Sequence, residues 1–402
     1  MTSSAPVRQR TSLAEIAWLF LKLGTIGFGG PAAHIALMED EVVRRRRWMT
    51  REAFLDHVGA MNLIPGPNST ELAIAIGRER AGWPGLVVAG VAFIGPAAII
   101  VTSIAWLYVQ YGRLPEAVAL FDGVKPVIIA IVAQALWRLG RTALKNAWLL
   151  ALALGSAGAM LGGANELAVL IIAGAIAASF GPREETYLRP AESAGAHASA
   201  EPTNDAAPRQ SGANALALGL VAFAPAGVGL WKLFTVFLKI GSVLFGSGYV
   251  LLAFLRADFV ERLAWLTEQQ LLDAIVVGQV TPGPVFTTAT FVGYLVLGPL
   301  GGVVATIGIF LPAFLLVAAS GPLIPRIRRS RAAGAALDGV NAASLALMAV
   351  VTWQLGRAAI VDAWSATIAI AALLLLTIKR VNATWVVLGG AIIGALVAWL
   401  GS

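Results

Sequence analysis

Cysteine is absent from the 402 residues of this chain, and histidine occurs only three times. Without cysteine the chain forms no disulfide, performs no thiolate chemistry and holds no cysteine-ligated metal. The histidines, His34, His57 and His197, are not spaced as metal ligands, and the chain has no phosphate-binding loop of the ATPase type. We therefore predict a protein that is not an enzyme and that uses neither a metal nor a cofactor.

Charged residues are also scarce. They make up 13% of the chain, whereas about 25% is typical of soluble proteins. Hydrophobic residues make up 58% and the mean hydropathy is +0.79. Continuous apolar stretches recur from end to end, which excludes the alternating pattern of a β-barrel and predicts an all-α polytopic membrane protein in contact with the lipid bilayer. The net charge of +7 reflects arginines in short loops and is not a signal for nucleic acid.

An internal repeat organises the chain. Residues of the first half return 217 positions later, and after one deletion 216 positions later. The matched residues include Lys22 with Lys239, Asp56 with Asp273, Pro65-Gly66-Pro67 with Pro282-Gly283-Pro284, and Asp122 with Asp338. A duplicated apolar half with segments broken by glycine and proline is typical of transporters that bind their substrate at the repeat interface.

We predict about six hydrophobic segments in each half. The first half, residues 1–180, is followed by a polar stretch, 181–212, that reads as a flexible cytoplasmic linker. An unpaired apolar segment, 213–230, then precedes the second half, 231–402. The basic loops fall at opposite phases of the two halves, which predicts two inverted, antiparallel repeats joined by the extra crossing at 213–230.

The first two segments of each half allow two topologies. If every segment spans the membrane, 15 Lys and Arg residues of the loops lie inside and 8 outside; if these segments re-enter, the numbers become 18 and 5. These are also the segments that glycine and proline break. We therefore favour broken or re-entrant helices, which membranes tolerate where protein or a water-filled cavity surrounds them.

The first break contains small residues and a phenylalanine in both halves. Its members are Gly27, Phe28, Gly29 and Gly30, and then Phe245, Gly246, Ser247 and Gly248. Glycine frees the backbone, so that unpaired N–H groups can face an anion. The alternative is close helix packing through small residues.

The second break is a proline–glycine–proline turn in each half. The first turn is followed by Asn68, Ser69 and Thr70, and the second by Val285, Phe286, Thr287 and Thr288. Such a turn ends one helix and begins another, whose N-terminus presents free N–H groups and a positive dipole end to an anion. Asn68 and Glu71 have the spacing of a capping box. The alternative is a structural turn that binds no ligand.

Two lysines and three acids complete the candidates. Lys22 and Lys239 lie inside apolar segments, where a lysine either serves function or extends its ammonium group to the interface. Asp56, Glu71 and Asp273 are candidates for proton coupling, although capping or ion pairing explains Asp56 and Asp273 as well. Lys125 is predicted either to pair with Asp122 or to serve as a further basic site. His34 and His57 are interpreted as packed or interfacial histidines, with a proton relay as the alternative.

These motifs resemble the chromate ion transporter family in its long two-domain form. The resemblance rests on the two breaks of the first half, together with Phe245-Gly246-Ser247-Gly248 and the stretch from Gln279 to Pro284 in the second. It covers nearly the whole chain outside the linker. It implies a protein of the bacterial inner membrane that exports chromate and confers chromate resistance, with Gln279 added to the substrate-binding candidates.

We therefore expect a secondary active transporter for chromate, a tetrahedral dianion. An importer or exchanger of sulfate or a related oxyanion is the first alternative, since charge and shape are nearly the same. A membrane scaffold or sensor that transports nothing is the second. The sequence leaves the coupling ion open, and it leaves a homodimer open as an oligomeric state.

Overall fold

The computed structural model describes residues 11–28, 30–112, 114–181, 229–245, 248, 250–379 and 381–401. All regular elements in these ranges are helical. Gly29, Gly246 and Ser247 lie outside the described residues. So does the predicted linker after residue 181, and so does the predicted extra crossing up to residue 228.

The helices follow the predicted hydrophobic segments, and helices end and begin at the predicted breaks. The first half contains α1 (Leu13–Ile26), α2 (Gly30–Glu39), a π-helical turn (Asp40–Arg45), α3 (Arg51–Met61), α4 (Asn68–Tyr111), α5 (Pro115–Ala143), α6 (Ala147–Leu161) and α7 (Glu166–Phe180). The second contains α8 (Leu230–Val243), α9 (Val250–Leu255), a π-helical turn (Arg256–Arg262), α10 (Glu268–Val280), a 3-10 turn (Val285–Thr287), α11 (Thr288–Arg329), α12 (Arg331–Ala359), α13 (Ala363–Thr377) and α14 (Ala383–Gly401).

Helices α1 and α2 form a hairpin, because residues that directly follow α2 contact residues of α1. Lys22 of α1 pairs with Glu41 at 2.7 Å, and Glu15, two turns closer to the start of α1, pairs with Arg46 at 2.6 Å. The pairs are antiparallel along the two stems. The break at residues 27–29 is therefore the tip of this hairpin.

Helix α3 and the start of α4 form a second hairpin beside the first. His57 of α3 contacts Glu79 of α4 at 3.1 Å, on the far side of the turn at Pro65-Gly66-Pro67. Arg80 then donates to the carbonyl of Trp48 at 3.1 Å and to the hydroxyl of Thr11 at 2.8 Å. Thr11, Trp48 and Arg80 thus bring the open ends of both hairpins together, and we call this end the first base.

Helix α4 reverses direction just after the first base. Ala81 and Gly82 have non-helical backbone angles, with Gly82 at φ +65°. The two arms then pack so closely that a Cβ added at Gly85 would overlap the carbonyl oxygen of Gly77. Helix α11 reverses in the same way at Leu297 and Gly298. The long arm of α4, residues 83–111, measures about 43 Å at 1.5 Å per residue, enough to cross a bilayer.

The far end of α4 meets the second half. The Tyr108 hydroxyl donates to the Asp273 carboxylate of α10 at 2.7 Å. Asp273 is the repeat partner of Asp56, which lies near the open end of the α3 hairpin. Helix α4 therefore runs from the first base to the corresponding region of the second half. We call this region, around Tyr108 and Asp273, the second base.

The remaining helices exchange partners between the halves. Helices α6 and α7 pack on α12, and α13 and α14 pack on α5. Small residues allow close approach, as where Gly123 of α5 meets Gly390 and Gly394 of α14. In the described part of the chain, four helical stretches are long and apolar enough to cross a membrane, namely Asn68–Tyr111, Val118–Ala143, Val285–Gly321 and Arg331–Ala359.

Candidate functional site at the hairpin tips

The breaks of the two halves meet at the centre of the molecule. The N–H of Gly66 donates to the carbonyl of Leu244 at 2.8 Å, and the N–H of Gly283 donates to the carbonyl of Gly27 at 2.8 Å. Gly66 and Gly283 are repeat partners, as are Gly27 and Leu244. Each half thus places its second break against the first break of the other half, through the same hydrogen bond.

Glycine is required at both proline–glycine–proline turns. Gly66 has φ +140° and Gly283 has φ +95°, a region that side chains disfavour. A Cβ at Gly283 would also lie 2.6 Å from the Cβ of Ala97, and one at Gly66 would overlap the carboxylate of Glu71. The turns therefore bring backbone and neighbouring side chains into closer approach than any other residue allows.

The predicted capping box at Asn68 and Glu71 is wrong. Helix α4 begins at Asn68, and the cap is the preceding residue, Pro67, whose backbone is extended and whose carbonyl accepts from the N–H groups of Thr70 and Glu71. Asn68 is therefore already helical, and its side chain donates to Asn62 at 2.5 Å. The free N–H groups of this helix end are those ahead of Thr70.

His34 ties the tip of the first hairpin to the start of α4. It is buried, with Nε2 2.9 Å from the carbonyl oxygen of Gly27 and Nδ1 3.3 Å from the Ser69 hydroxyl. Gly27 therefore interacts with both His34 and Gly283. The prediction of a packed histidine is confirmed for His34, but no pattern in the sequence indicates that it joins the two breaks.

Unpartnered polar atoms concentrate in the first half of this cluster. Glu71 and Thr70 are fully buried, and neither the two carboxylate oxygens of Glu71 nor the Thr70 hydroxyl has a hydrogen-bond partner among the described residues. In the second half, Thr287 and Thr288 donate their hydroxyls to backbone carbonyls at 2.8 Å. Gln279 contributes one further buried and unpartnered group, its side-chain NH₂.

The two repeated lysines form ion pairs. Lys22 pairs with Glu41, and Lys239 lies 2.7 Å from an oxygen of Asp258. Glu41 and Asp258 are themselves separated by 217 residues, so the ion pair belongs to the repeat. Neither acid is among the residues predicted from the sequence, although their separation of 217 residues matches the repeat and could have identified them.

The other residues of the first break play different parts. Gly24 and its partner Gly241 serve close packing, because a Cβ on either would overlap the backbone of the long arm of α4 or of α11. Phe28 is 41% exposed, and Gly30 begins α2 at φ +78° with open space around it. Phe245 is partly buried and Gly248 is buried.

A cavity of about 470 Å³ opens beside the first base. It lies between the second hairpin and the C-terminal part of α11. Polar side chains line much of it, and the full lining is Asp56, His57, Ala60, Met61, Ala75, Arg78, Glu79, Val317, Ser320, Gly321 and Ile324. Ala75 lies one helical turn beyond Glu71, so the cavity reaches close to the tip cluster.

The second base contains a buried polar network. Lys125 is buried there and lies 3.3 Å from Asp273 and 2.8 Å from Asp122, which confirms the predicted pair with Asp122. Tyr108 completes this network through Asp273 and packs edge-on against Phe291 at a centroid distance of 5.3 Å. Asp273 therefore lies in a closed polar network, whereas Asp56 lines the open cavity.

The model of the chromate transporter family matches residues 14–179 and residues 231–395, which covers both halves. The chain belongs to the chromate transporter family. The family and the long apolar helices together make it a multi-pass membrane protein.

Curated proteins of this kind are similar over most of their length. The chain is 31% identical to the chromate transport protein of Cupriavidus metallidurans over 96% of this chain and 94% of that protein. It is 31% identical to the chromate transport protein of Pseudomonas aeruginosa over 84% of this chain and 80% of that protein. A probable chromate transport protein of Synechococcus elongatus is 31% identical over 87% of this chain and 86% of that protein. No solved structure matches the chain.

Proposed function

We propose that this protein is a secondary active transporter that exports chromate across the bacterial inner membrane and so confers resistance to chromate. Family membership and the names of its relatives support chromate as the substrate. The observation that carries a transport mechanism is the pair of matched hydrogen bonds, Gly66 to Leu244 and Gly283 to Gly27, which joins helix breaks of both halves at one central point.

The halves are inverted relative to each other in this proposal. Helix α4 links the first base, through Arg80, to the second base, through Tyr108, so the hairpins of the two halves approach the centre from opposite sides. Arginines crowd the loops on the side of the first base, at Arg44–Arg47, Arg51, Arg78 and Arg80. The positive-inside rule then puts the first base in the cytoplasm and makes the hairpins re-entrant.

The substrate site lies at the hairpin tips. The N-terminus of α4, with Gly66, Asn68, Ser69 and Thr70, would supply N–H and hydroxyl donors to the oxyanion. Gln279 would add its side-chain NH₂ from the second half. The ion-paired Lys22 and Lys239 would fix the first hairpins and contribute positive charge near the breaks.

Export of a dianion is favoured by the membrane potential. Moving a charge across the membrane changes its free energy by about 2.3 kcal/mol per 100 mV, so an inside-negative potential of that size favours a leaving dianion by about 4.6 kcal/mol. The cavity at the first base would then be the route by which chromate enters from the cytoplasm. Alternating access would close this cavity and open the second base.

Chromate uptake into everted vesicles tests the proposal. We expect uptake that collapse of the potential slows and that excess sulfate inhibits only weakly. Gly66→Ala should abolish uptake at unchanged protein level, because no side chain fits beside Glu71. Gly95→Ala is the matched control on α4, where a Cβ would meet open space.

Two other results would replace the proposal. Uptake that sulfate abolishes would favour a general oxyanion carrier. No uptake by vesicles that contain the protein would favour a scaffold or sensor. Chromate uptake by vesicles that lack the protein gives the baseline rate for all three outcomes.

A further inference from the structure

Glu71 is an acid without a structural partner at the centre of the proposed site. It is fully buried, and both carboxylate oxygens lack a hydrogen-bond partner among the described residues. The carboxylate points toward the hairpin tip, since it occupies the space that a side chain on Gly66 would need. A buried ion without a partner is costly, so this group is expected to change its protonation together with its surroundings.

The fold does not need an acid at this place. The second half builds the same turn with Thr287 and Thr288, whose hydroxyls bind the carbonyls of Pro284 and Val285. Gly283 still bonds to Gly27 as Gly66 bonds to Leu244. An acid confined to one of two matching turns therefore serves something other than the geometry of the turn.

Water can approach Glu71 from one side. Ala75, four residues along α4, lies on the same helix face and forms part of the cavity wall. The cavity holds about 470 Å³ and is lined by Asp56, His57 and Glu79, so it has both the size and the polar groups that water requires. At the second base the repeat partner of Ala75 is the larger Phe291, which is fully buried and packs against Tyr108 at a centroid distance of 5.3 Å.

No cation neutralises Glu71 within the described residues. The helices that pack on α4 carry the following charged or titratable residues: Glu15 and Lys22 on α1, His34 and Glu39 on α2, Arg51, Glu52, Asp56 and His57 on α3, Glu268 and Asp273 on α10, and Tyr294 on α11 before its terminal arginines. Lys22 is held by Glu41, and His34 by Gly27 and Ser69. An ionised Glu71 would thus repel a dianion at the start of α4 with little screening.

We propose that Glu71 binds an exchangeable proton, and that an oxyanion occupies the hairpin tips only while Glu71 is protonated. Anion and proton then bind together, and the proton exchanges through the cavity at the first base. This inference rests on the proposed anion site, but it adds a proton for each anion bound and names the residue that holds it.

The test uses purified full-length protein in detergent, with sulfate and chromate as separate probes. Proton uptake on anion addition is followed with an indicator dye in weak buffer, and anion affinity is measured against pH by equilibrium dialysis. Sulfate stays a dianion throughout, so its pH dependence reports the protein alone. We expect about one proton per anion, and affinity that falls about tenfold per pH unit where Glu71 has ionised.

Glu71→Gln keeps the size of the side chain and mimics the protonated acid. It should bind the anion with no proton uptake and with affinity independent of pH. Glu52→Gln removes an exposed carboxylate of α3 instead and should behave like the wild type. Infrared spectra of the wild type, without any anion, should contain the carbonyl band of a protonated carboxyl that Glu71→Gln lacks.

The outcomes separate the two proposals. Anion binding without proton uptake, or an infrared band unchanged in Glu71→Gln, overturns the role of Glu71 and leaves the transport function standing. Absence of binding by either anion, in protein that has the band, overturns the anion site and with it the linkage, although Glu71 still holds a proton. The wild-type measurements need no variant, so a folding defect in Glu71→Gln does not decide the result.

Discussion

The first and second bases, at the two ends of the long arm of α4, have matching backbones and opposite surroundings. At the first base a polar cavity reaches toward the tips, whereas at the second base Lys125, Asp273 and Tyr108 form a polar network that packs against the buried Phe291. Repeat partners explain the difference. The cavity residues Ala75, His57, Glu79, Ser320 and Ile324 correspond to Phe291, Ala274, Leu295, Ile104 and Tyr108.

This contrast separates what the repeat preserves from what each half has changed. The glycines of the sharp reversals, the tip hydrogen bonds and the lysine–acid pairs occur in both halves. The side chains around the cavity at the first base and those at the matching positions of the second base differ. In the proposed mechanism these two places are the access routes, and the differing side chains keep one of them closed while the other is open.

The largest effect on stability is expected from replacing Lys125, the buried cation of the second base. Lys125→Met would leave Asp273 buried beside Tyr108 without its cation. Removing one member of a buried ion pair costs about 3–5 kcal/mol, so the unfolding midpoint of the purified protein should fall strongly. Denaturant unfolding in detergent measures the change.

The matched control is Lys145→Met. Lys145 pairs with Asp338 on the surface, where the lysine side chain is 41% exposed, and such pairs contribute about 0–1 kcal/mol. An equal loss of stability in the two variants would mean that the buried ion pair of Lys125 does not stabilise the second base.

A smaller, kinetic effect should distinguish the two access routes. Because the chain has no cysteine, single cysteines can be placed at Ser320 and at its repeat partner Ile104 without any background. Ser320 lines the cavity, whereas Ile104 packs against the core. A water-soluble maleimide should therefore modify Ser320→Cys at least about tenfold faster than Ile104→Cys, since thiol reactivity follows exposure.

Transport conditions sharpen this comparison. If access alternates, turnover with chromate should raise the labelling rate of Ile104→Cys and lower that of Ser320→Cys. Equal rates at rest would contradict the assignment of one open and one closed end. Labelling rates that differ without chromate and do not change when chromate is added would contradict alternating access.

Much of this architecture was predictable from the repeat. Matching residues located the breaks, and their glycines and prolines predicted that helices would not continue through them. The arginine distribution favoured broken or re-entrant helices. The structure contains the breaks, with Arg80 beside Trp48 at the base of the hairpins they form, and re-entry into the membrane stays a prediction. The charged pair at Lys125 followed from its spacing to Asp122.

The failures involve contacts between distant elements. The capping box at Asn68 and Glu71 was inferred from local spacing. In the structure Pro67 is the N-cap residue, and the Glu71 carboxylate makes no capping hydrogen bond and lies at the hairpin tip. The partners of Lys22 and His34 lie on other helices or beyond a turn, at Glu41, Gly27 and Ser69. Local sequence rules do not determine such contacts, because hairpin packing selects them.

The smallest expected effect concerns two matched helix caps. Asn146 caps α6 through the N–H of Leu149, and Asp362 caps α13 through the N–H of Ser365. The Ser365 N–H and hydroxyl hold the pKa of Asp362 below its usual range. Its stabilising contribution is therefore complete above the ordinary value of about 3.9 and is lost as the pH falls through the lower folded-state pKa.

Hydrogen exchange can detect this difference between the two caps. As the pH is lowered below about 4, the amides in the first turn of α13 should lose protection relative to those of α6, whose asparagine cap does not titrate. Asp362→Asn should remove the difference, because both helices then carry the same neutral cap. Equal pH dependence of the two helices in the wild type would show that the Asp362 charge does not stabilise α13.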